Sequence, residues 1–222
     1  MTFYLSIQNT YTSLEVALFD DDQILQWATE DKMTASKNFI SLIVTMLNKH
    51  QLALSNISFI AVNQGPGPFT TLRVVIASVN GLSFASKIPL IGIDGIDALL
   101  LEHRNAQHPN TVAFLNAFNG DVYFGIQKNN SIAYEKGYGN IANILEKIKE
   151  IMPDQSIRFL GNGAHLYAQE IDAAFGNNAT IPDPLPGTCT VQQIGLMGWE
   201  KWQEKTDLHY QLFPLYLKQA MI

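Results

Sequence analysis

The chain changes its hydrophobic period several times, and each change marks an element. Residues 3–9 (FYLSIQN), 13–20 (SLEVALFD) and 23–30 (QILQWATE) are short apolar-bearing runs of strand length. The acidic turn Asp20 to Asp22 joins the last two, which predicts a hairpin within a meander. From Ser36 to His50 the spacing becomes helical, with Phe39, Ile40, Ile43, Val44 and Leu47 recurring on one side. ISFIAVN (57–63) is an unbroken apolar run, the pattern of a strand buried on both faces. A helix over about 71–86, a strand at PLIGI (89–93) and a helix at DGIDALLLEH follow, so the predicted order is βββαβαβα.

The second half repeats this order without repeating its letters. TVAFLNA (111–117), DVYFGIQ (121–127) and SIAYEKGY (131–138) read as three strands. A helix from Ile141 to Met152, the strand IRFLGNG and a helix after Gly163 come next. The pattern implies an α/β fold built from a duplicated βββαβα unit. Each sheet is mixed, antiparallel in the meander and parallel across the helical crossovers. The expected lobes are 1–104 and 105–222. A long helix over about 191–205 is free to pack back on the first lobe, and FPLYL is a closing extended segment.

Composition narrows the function. With 222 residues, 47% hydrophobic and 15% charged, the chain has material for a large core. No run reaches the roughly 18 unbroken apolar residues of a membrane span, and MTFYLSIQNT lacks a basic leader, so the expectation is a cytoplasmic protein with no membrane partner. The net charge of −6 gives no reason to bind nucleic acid alone; RNA would be reached through a partner. The single Cys189 has no internal disulfide partner, and the five histidines form no HxxxH pair. Acids at Asp20 to Asp22 and Glu30–Asp31 read as solvated, and the strand interiors offer only Glu15. No metal, no cofactor and no catalytic residue is predicted.

The stretch NQGPGPFTTLRVV (63–75) has the position of a phosphate loop, between a buried strand and an apolar helix. A phosphate nest needs successive inward N–H groups, but Pro66 and Pro68 have none and no lysine follows. The better reading is structural: Gly65 and Gly67 allow a sharp turn, Pro66 and Pro68 stiffen it, and Thr70 or Thr71 caps the helix. Arg73, placed against the helix dipole, is expected to reach an acid or a carbonyl. On the helix that follows, Leu72, Val75, Ile76, Val79 and Leu82 form one apolar face. Val74, Ala77, Ser78, Gly81 and Ala85 form a second face of small residues. Both faces read as buried. The second suits a close helix neighbour, either residues 36–50 or a partner subunit.

Taken together, GPGPFTTLR with its small-residue helix, LSIQNTYTSLEVAL, NAFNGDVY, LGNGAHLY and the terminal PLYLK resemble the TsaB family over nearly the full length. The resemblance implies a duplicated ribonuclease H-like, actin-like fold, with mixed five-stranded-type sheets flanked by helices. It also implies a role as the non-catalytic dimerisation subunit in forming threonylcarbamoyladenosine on tRNA. The implied partners are a TsaD-like paralogue, a TsaE-like ATPase and, when alone, a second copy; tRNA is met only through the complex. The implied partner surface joins Phe39, Ile43 and Leu47 to Val74, Ala77, Ser78, Gly81 and Ala85. Gln8 and Asn116 stand where the wider superfamily or TsaB-like sequences carry acids, so affinity for a metal–nucleotide is expected to be low. The alternatives are an ATP-dependent phosphotransferase of this fold, and a free-standing homodimeric adaptor outside the tRNA pathway.

Overall fold

The computed structural model describes residues 1–131 and 135–217. In chain order its elements are β1 (Phe3–Asn9), β2 (Ser13–Asp20), β3 (Gln23–Asp31), α1 (Lys32–Lys49), β4 (Ile57–Asn63), α2 (Phe69–Ser86), β5 (Leu90–Ile93) and α3 (Gly95–Glu102). Then come β6 (Thr111–Asn116), β7 (Asp121–Gln127), β8 (Glu135–Asn140), α4 (Ile141–Ile151), β9 (Ile157–Leu160), α5 (Asn162–Leu166), α6 (Ala168–Phe175), β10 (Ala179–Thr180), α7 (Val191–Glu204) and β11 (Leu208–His209). The sheets run β11-β5-β4-β1-β2-β3 and β10-β9-β6-β7-β8. In both, the first two strands of the meander pair antiparallel and the crossover strands pair parallel, β1 with β4 and β6 with β9. The duplication is therefore one of topology. β11, which pairs antiparallel with β5, is the strand by which the first sheet exceeds the expected five.

The chain divides into two compact units, Met1–Gly95 with Thr190–Leu215, and Ile96–Cys189 with Tyr216–Ile222. This differs from the expected division after residue 104, and packing explains it. A Cβ on Gly125 of β7 would lie 2.2 Å from Ile96 Cγ2 and 3.1 Å from Leu100 Cδ1, so α3 belongs against the second sheet. Likewise α7 belongs to the first: Cβ atoms on Gly195 and Gly198 would lie 2.5 Å from Phe19 Cε2 and 2.4 Å from Ala61 Cβ. The two glycines let the helix axis approach the strands closely.

Alternation along the strands builds the first unit in layers. Leu5, Ile7, Leu14, Val16 and Leu18 pack with Phe39, Ile43 and Leu47 of α1 and with Leu72, Val75, Ile76 and Val79 of α2. On the other face Tyr4 stacks between Phe19 and Phe59, at 4.7 and 4.3 Å between ring centroids, and Trp199 and Trp202 of α7 extend the stack. Ser6 donates its hydroxyl to the Val191 carbonyl at 2.7 Å, tying β1 to the start of α7.

The chain after β11 then crosses α2. The Asn80 amide donates to the Leu212 carbonyl and accepts from its N–H, Ser83 donates to the Tyr210 carbonyl, and Leu212 enters the core. In the second unit Val112, Phe114 and Phe159 pack with Ile144, Leu145 and Ile148 of α4.

Two helix starts differ from expectation. α1 begins at Lys32 because Asp31 caps it, accepting from the Met33 N–H at 2.8 Å. α2 begins at Phe69, so Thr70 and Thr71 lie inside it and neither caps it. Residues 132–134 of the expected strand at 131–138, and Lys218 of PLYLK, lie outside the described residues.

Candidate functional site

Glycine, proline and amide chemistry shape the loop between β4 and α2. Gly65 has φ 105°, and a Cβ there would meet Leu72 Cδ2 at 2.8 Å, so conformation and space both call for glycine. Its N–H donates to Asn63 Oδ1 and its carbonyl accepts from the Gly95 N–H, each at 2.8 Å. Gln64 holds the segment at 213–215: its side-chain amide donates to the Phe213 carbonyl and its main-chain carbonyl accepts from the Leu215 N–H. The loop thus serves as a structural joint. Arg73 places its guanidinium 3.8 Å from the Phe69 ring centroid.

The amide at Gln8 is engaged on both sides. Its Nε2 donates to Glu15 Oε2 at 2.7 Å and its Oε1 accepts from Asn63 Nδ2 at 3.3 Å; Glu15 is its direct partner across β1 and β2. The relay runs on through Asn63 to the Gly65 N–H. Beside it Asn9 donates to Thr71 Oγ1 at 2.7 Å.

In the second unit Asn116 ends β6 and opens a turn. Its Oδ1 accepts from the Phe118 N–H at 2.7 Å, and its own N–H donates to Asn162 Oδ1. Phe118, Asn119 and Gly120, all at positive φ, complete that turn. A magnesium–nucleotide complex does not fit these residues. Gln8 is neutral and already bonded on both sides, and the Gly65 N–H is committed to Asn63. Among the described residues no three His, Cys, Asp or Glu side chains gather where they could hold a metal.

The helix faces separate the expected partner residues into two groups. Phe39, Ile43 and Leu47 are only 2–3% exposed, so they belong to the chain's own core. Val74, Ala77, Gly81 and Ala85 are exposed and Ser78 is half-buried, so the small-residue face of α2 is open and α1 does not cover it. Around Gly81 the space is empty: a Cβ there meets nothing within 4 Å. On α1, Ile40 and Val44 are 46% and 49% exposed, and with Leu82 of α2 and Leu52 and Leu54 they line an apolar groove. A helical wheel carries the signal for them, since Ile40 and Val44 sit about 100° round from Phe39 and Ile43. Phe84, at 77% exposure, completes the apolar surface. By length and composition alone α2 could cross a membrane, but its apolar stripe is used on the sheet.

Residues 32–220 match the family described as TsaD, tRNA N6-adenosine threonylcarbamoyltransferase. The tRNA threonylcarbamoyladenosine biosynthesis protein TsaB of Bacillus subtilis strain 168 is 26% identical, over 97% of this chain and 94% of that protein. The chain belongs to this family, as a divergent TsaB member. YeaZ from Pseudomonas aeruginosa superposes with a TM-score of 0.72 at 20% identity, over 97% of this chain and 100% of that one. A ROK family protein from Streptococcus pneumoniae TIGR4, solved with sucrose, superposes at 0.50 and 10% identity, over 92% and 100%. The two sheets with shared topology and these likenesses establish the duplicated actin-like, ribonuclease H-like fold.

Proposed function

We propose that this TsaB-family chain serves tRNA threonylcarbamoyladenosine biosynthesis as a binding subunit with no catalytic group of its own. It docks a TsaD-like threonylcarbamoyltransferase through the open face of α1 and α2. That enzyme performs the transfer, next to the anticodon; a TsaE-like ATPase joins the assembly, and tRNA is met through the complex. A homodimer, where one forms, uses the same face.

The observation that carries this reading is the exposure of Val74, Ala77, Gly81 and Ala85 on α2, alongside the exposed Ile40 and Val44 on α1. Small residues on α2 let a partner helix approach closely, and the flanking aliphatic side chains supply area to bury. The neutral relay at Gln8 supports the non-catalytic part, because phosphoryl chemistry needs metal-binding carboxylates that this site replaces with amides.

Co-expression with the affinity-tagged TsaD-family protein of the same organism tests the proposal. The expected result is a stoichiometric complex by light scattering, and loss of the tRNA modification when the gene for this chain is deleted. Full modification in the deletion strain, together with no complex, overturns it.

A further inference from the structure

Among the described residues the two sheets end in the edge strands β11, β3, β10 and β8. β11 and β10 are two residues long, and β8 carries Lys136, Gly137 and Gly139. Short length, lysine and glycine all weaken an edge as a template for further pairing. β3 has none of these. It runs for nine residues, QILQWATED, without Lys, Pro or Gly, and β2 is the strand it pairs with among the described residues. One register shift, beside Leu25, leaves Gln26 to Asp31 in unbroken register with β2.

The two faces of β3 differ. Ala28 packs on the core beneath α1, and Gln26 Oε1 lies 3.0 Å from Nε2 of His50, the residue that ends that helix. By strand alternation Trp27 points to the opposite side of the sheet, away from α1 and α2. Its cross-strand partner is the small Ala17, and the indole is 58% exposed; Leu25 beside it is 40% exposed.

Charge surrounds this strand in one sign. Residues 1–31 contain Glu15, Asp20, Asp21, Asp22, Glu30 and Asp31 and no Lys or Arg. Asp20 to Asp22 stand at the start of β3 and Glu30 and Asp31 at its end, so acids bracket its apolar centre. Their bonds are local: Asp21 lies 3.4 Å from the Met1 ammonium, Asp22 accepts from Gln23, Glu30 from Thr34 and Asn38, and Asp31 from the Met33 N–H. Lys32 opens α1, yet among the described residues no Lys or Arg side chain forms an ion pair with any of these five acids.

We propose that β3 is a docking edge for an extended segment of another protein, apolar at its centre and carrying Lys or Arg towards both ends. Main-chain bonds along the free edge supply affinity, and Trp27 and Leu25 meet alternate side chains of the added strand. The acids at each end attract its basic residues, and the indole face takes a cation as readily as an aliphatic group. A second copy is the wrong occupant: antiparallel pairing of β3 with itself sets Asp20 to Asp22 of one chain beside Glu30 and Asp31 of the other. The inference does not depend on the docking role of α1 and α2, which lie on the other side of the sheet.

Fluorescence anisotropy with a labelled synthetic peptide tests this, using about nine residues of alternating valine and threonine, the span of β3, with lysines at both ends. The expected result is saturable binding with a Kd below about 100 µM, weakened by about 500 mM salt. Trp27→Thr and Asp22→Lys should each weaken it about tenfold, whereas Glu150→Lys, exposed on α4 in the other unit, should not. Trp27 and Asp22 are exposed, so the urea midpoints of their variants should stay near that of wild type. Amide hydrogen exchange should slow within residues 23–31 when the peptide is present.

Two further peptides probe the inference without any change in the protein. Glutamates in place of the lysines, or N-methyl groups on alternate amides of the peptide, should each abolish binding. Equal binding of the glutamate peptide overturns the charge match, and equal binding of the methylated one overturns strand pairing. No saturable signal up to about 1 mM, or slowed exchange confined to α1 and α2, removes the proposal. A dimer in solution that Trp27→Thr dissolves, and that takes no peptide, overturns it in favour of a second copy.

Discussion

Replacing Gly81 by leucine separates a docking face from a core face, because the two roles predict opposite signs. In the isolated chain the position is exposed and a Cβ meets nothing within 4 Å, so the new side chain enters open space. Glycine in a helix interior is about 0.8–1 kcal/mol less favourable than alanine, and leucine lies close to alanine. The monomer should therefore gain somewhat under 1 kcal/mol, read as a higher urea midpoint with an unchanged slope. Against a partner helix 8–10 Å away the same side chain has no room. Overpacking of about 1–3 kcal/mol weakens association roughly 5- to 150-fold.

The assay pairs urea unfolding of the isolated variant with its affinity for the TsaD-family partner. Gly198→Ala is the internal contrast. It too replaces a helical glycine, but its Cβ would lie 2.4 Å from Ala61 Cβ, so it should lower stability by about 1–3 kcal/mol. Unchanged affinity for Gly81→Leu places the face in solvent and refutes the docking argument. A destabilised Gly81→Leu monomer refutes the open geometry itself.

Four further outcomes follow from other parts of the molecule. The isolated chain should give no saturable Mg·ATP heat in calorimetry below about 50 µM, roughly −6 kcal/mol, and a clear isotherm there contradicts the amide argument. Among the described residues the buried Tyr4 hydroxyl has no hydrogen-bond partner, so Tyr4→Phe should leave stability unchanged or raise it by about 1 kcal/mol; a loss beyond about 1 kcal/mol shows that the hydroxyl is satisfied. Burial holds the His103 pKa below its ordinary value, outweighing the opposing pull of Glu102, with the Arg158 charge adding a lesser push downwards. Its neutral form is then favoured in the folded chain, so stability present above about pH 6.5 should fall as pH drops through that value towards the folded pKa. His103→Asn should flatten that slope in urea melts taken from pH 8 to 5, and an unaltered slope assigns it to other groups. Asp31→Ala should cost about 1 kcal/mol through loss of the α1 cap, and no change in the midpoint shows the cap to be idle.

What the sequence disclosed followed how local its cause was. The strands at 3–9, 13–20, 57–63 and 121–127 have the expected limits because apolar runs and the turn residues around them define both ends. The start of α1 was legible in principle, since Asp31 is a capping residue, but an acid at a strand end resembles any solvated carboxylate until its Met33 partner is seen. At α2 the prolines hid the start: Pro68 takes the cap position and offers no side-chain hydrogen bond there. Burial of a helix face is a tertiary matter. Phe39 and Ile40 are adjacent apolar residues, and only the sheet beneath α1 makes one core and the other surface. The division into units was equally non-local, because α3 and α7 are each assigned by a glycine at a contact distant in sequence, Gly125 for α3 and Gly198 for α7.

The two amides, Gln8 and Asn116, are not interchangeable, and their difference explains why adding charge should not create chemistry. Gln8 bridges three elements by donating to Glu15 on β2 and accepting from Asn63 at the end of β4. An ionised carboxylate is only an acceptor, so it could keep the second bond but not the first. It would also face the Glu15 carboxylate, which now accepts from an amide, and a like-charge pair in a buried setting raises the carboxyl pKa and lowers stability as pH rises. Asn116 is held differently. Its oxygen closes a turn onto the Phe118 N–H, a role an aspartate fills equally well. Gln8→Asp should therefore lower stability at neutral pH and Asn116→Asp should scarcely change it, and neither creates a metal site. At Gln8 the missing partners are structural as well as electrostatic, since the N–H of Gly65 is already spent on Asn63 and the prolines on either side of Gly67 supply none.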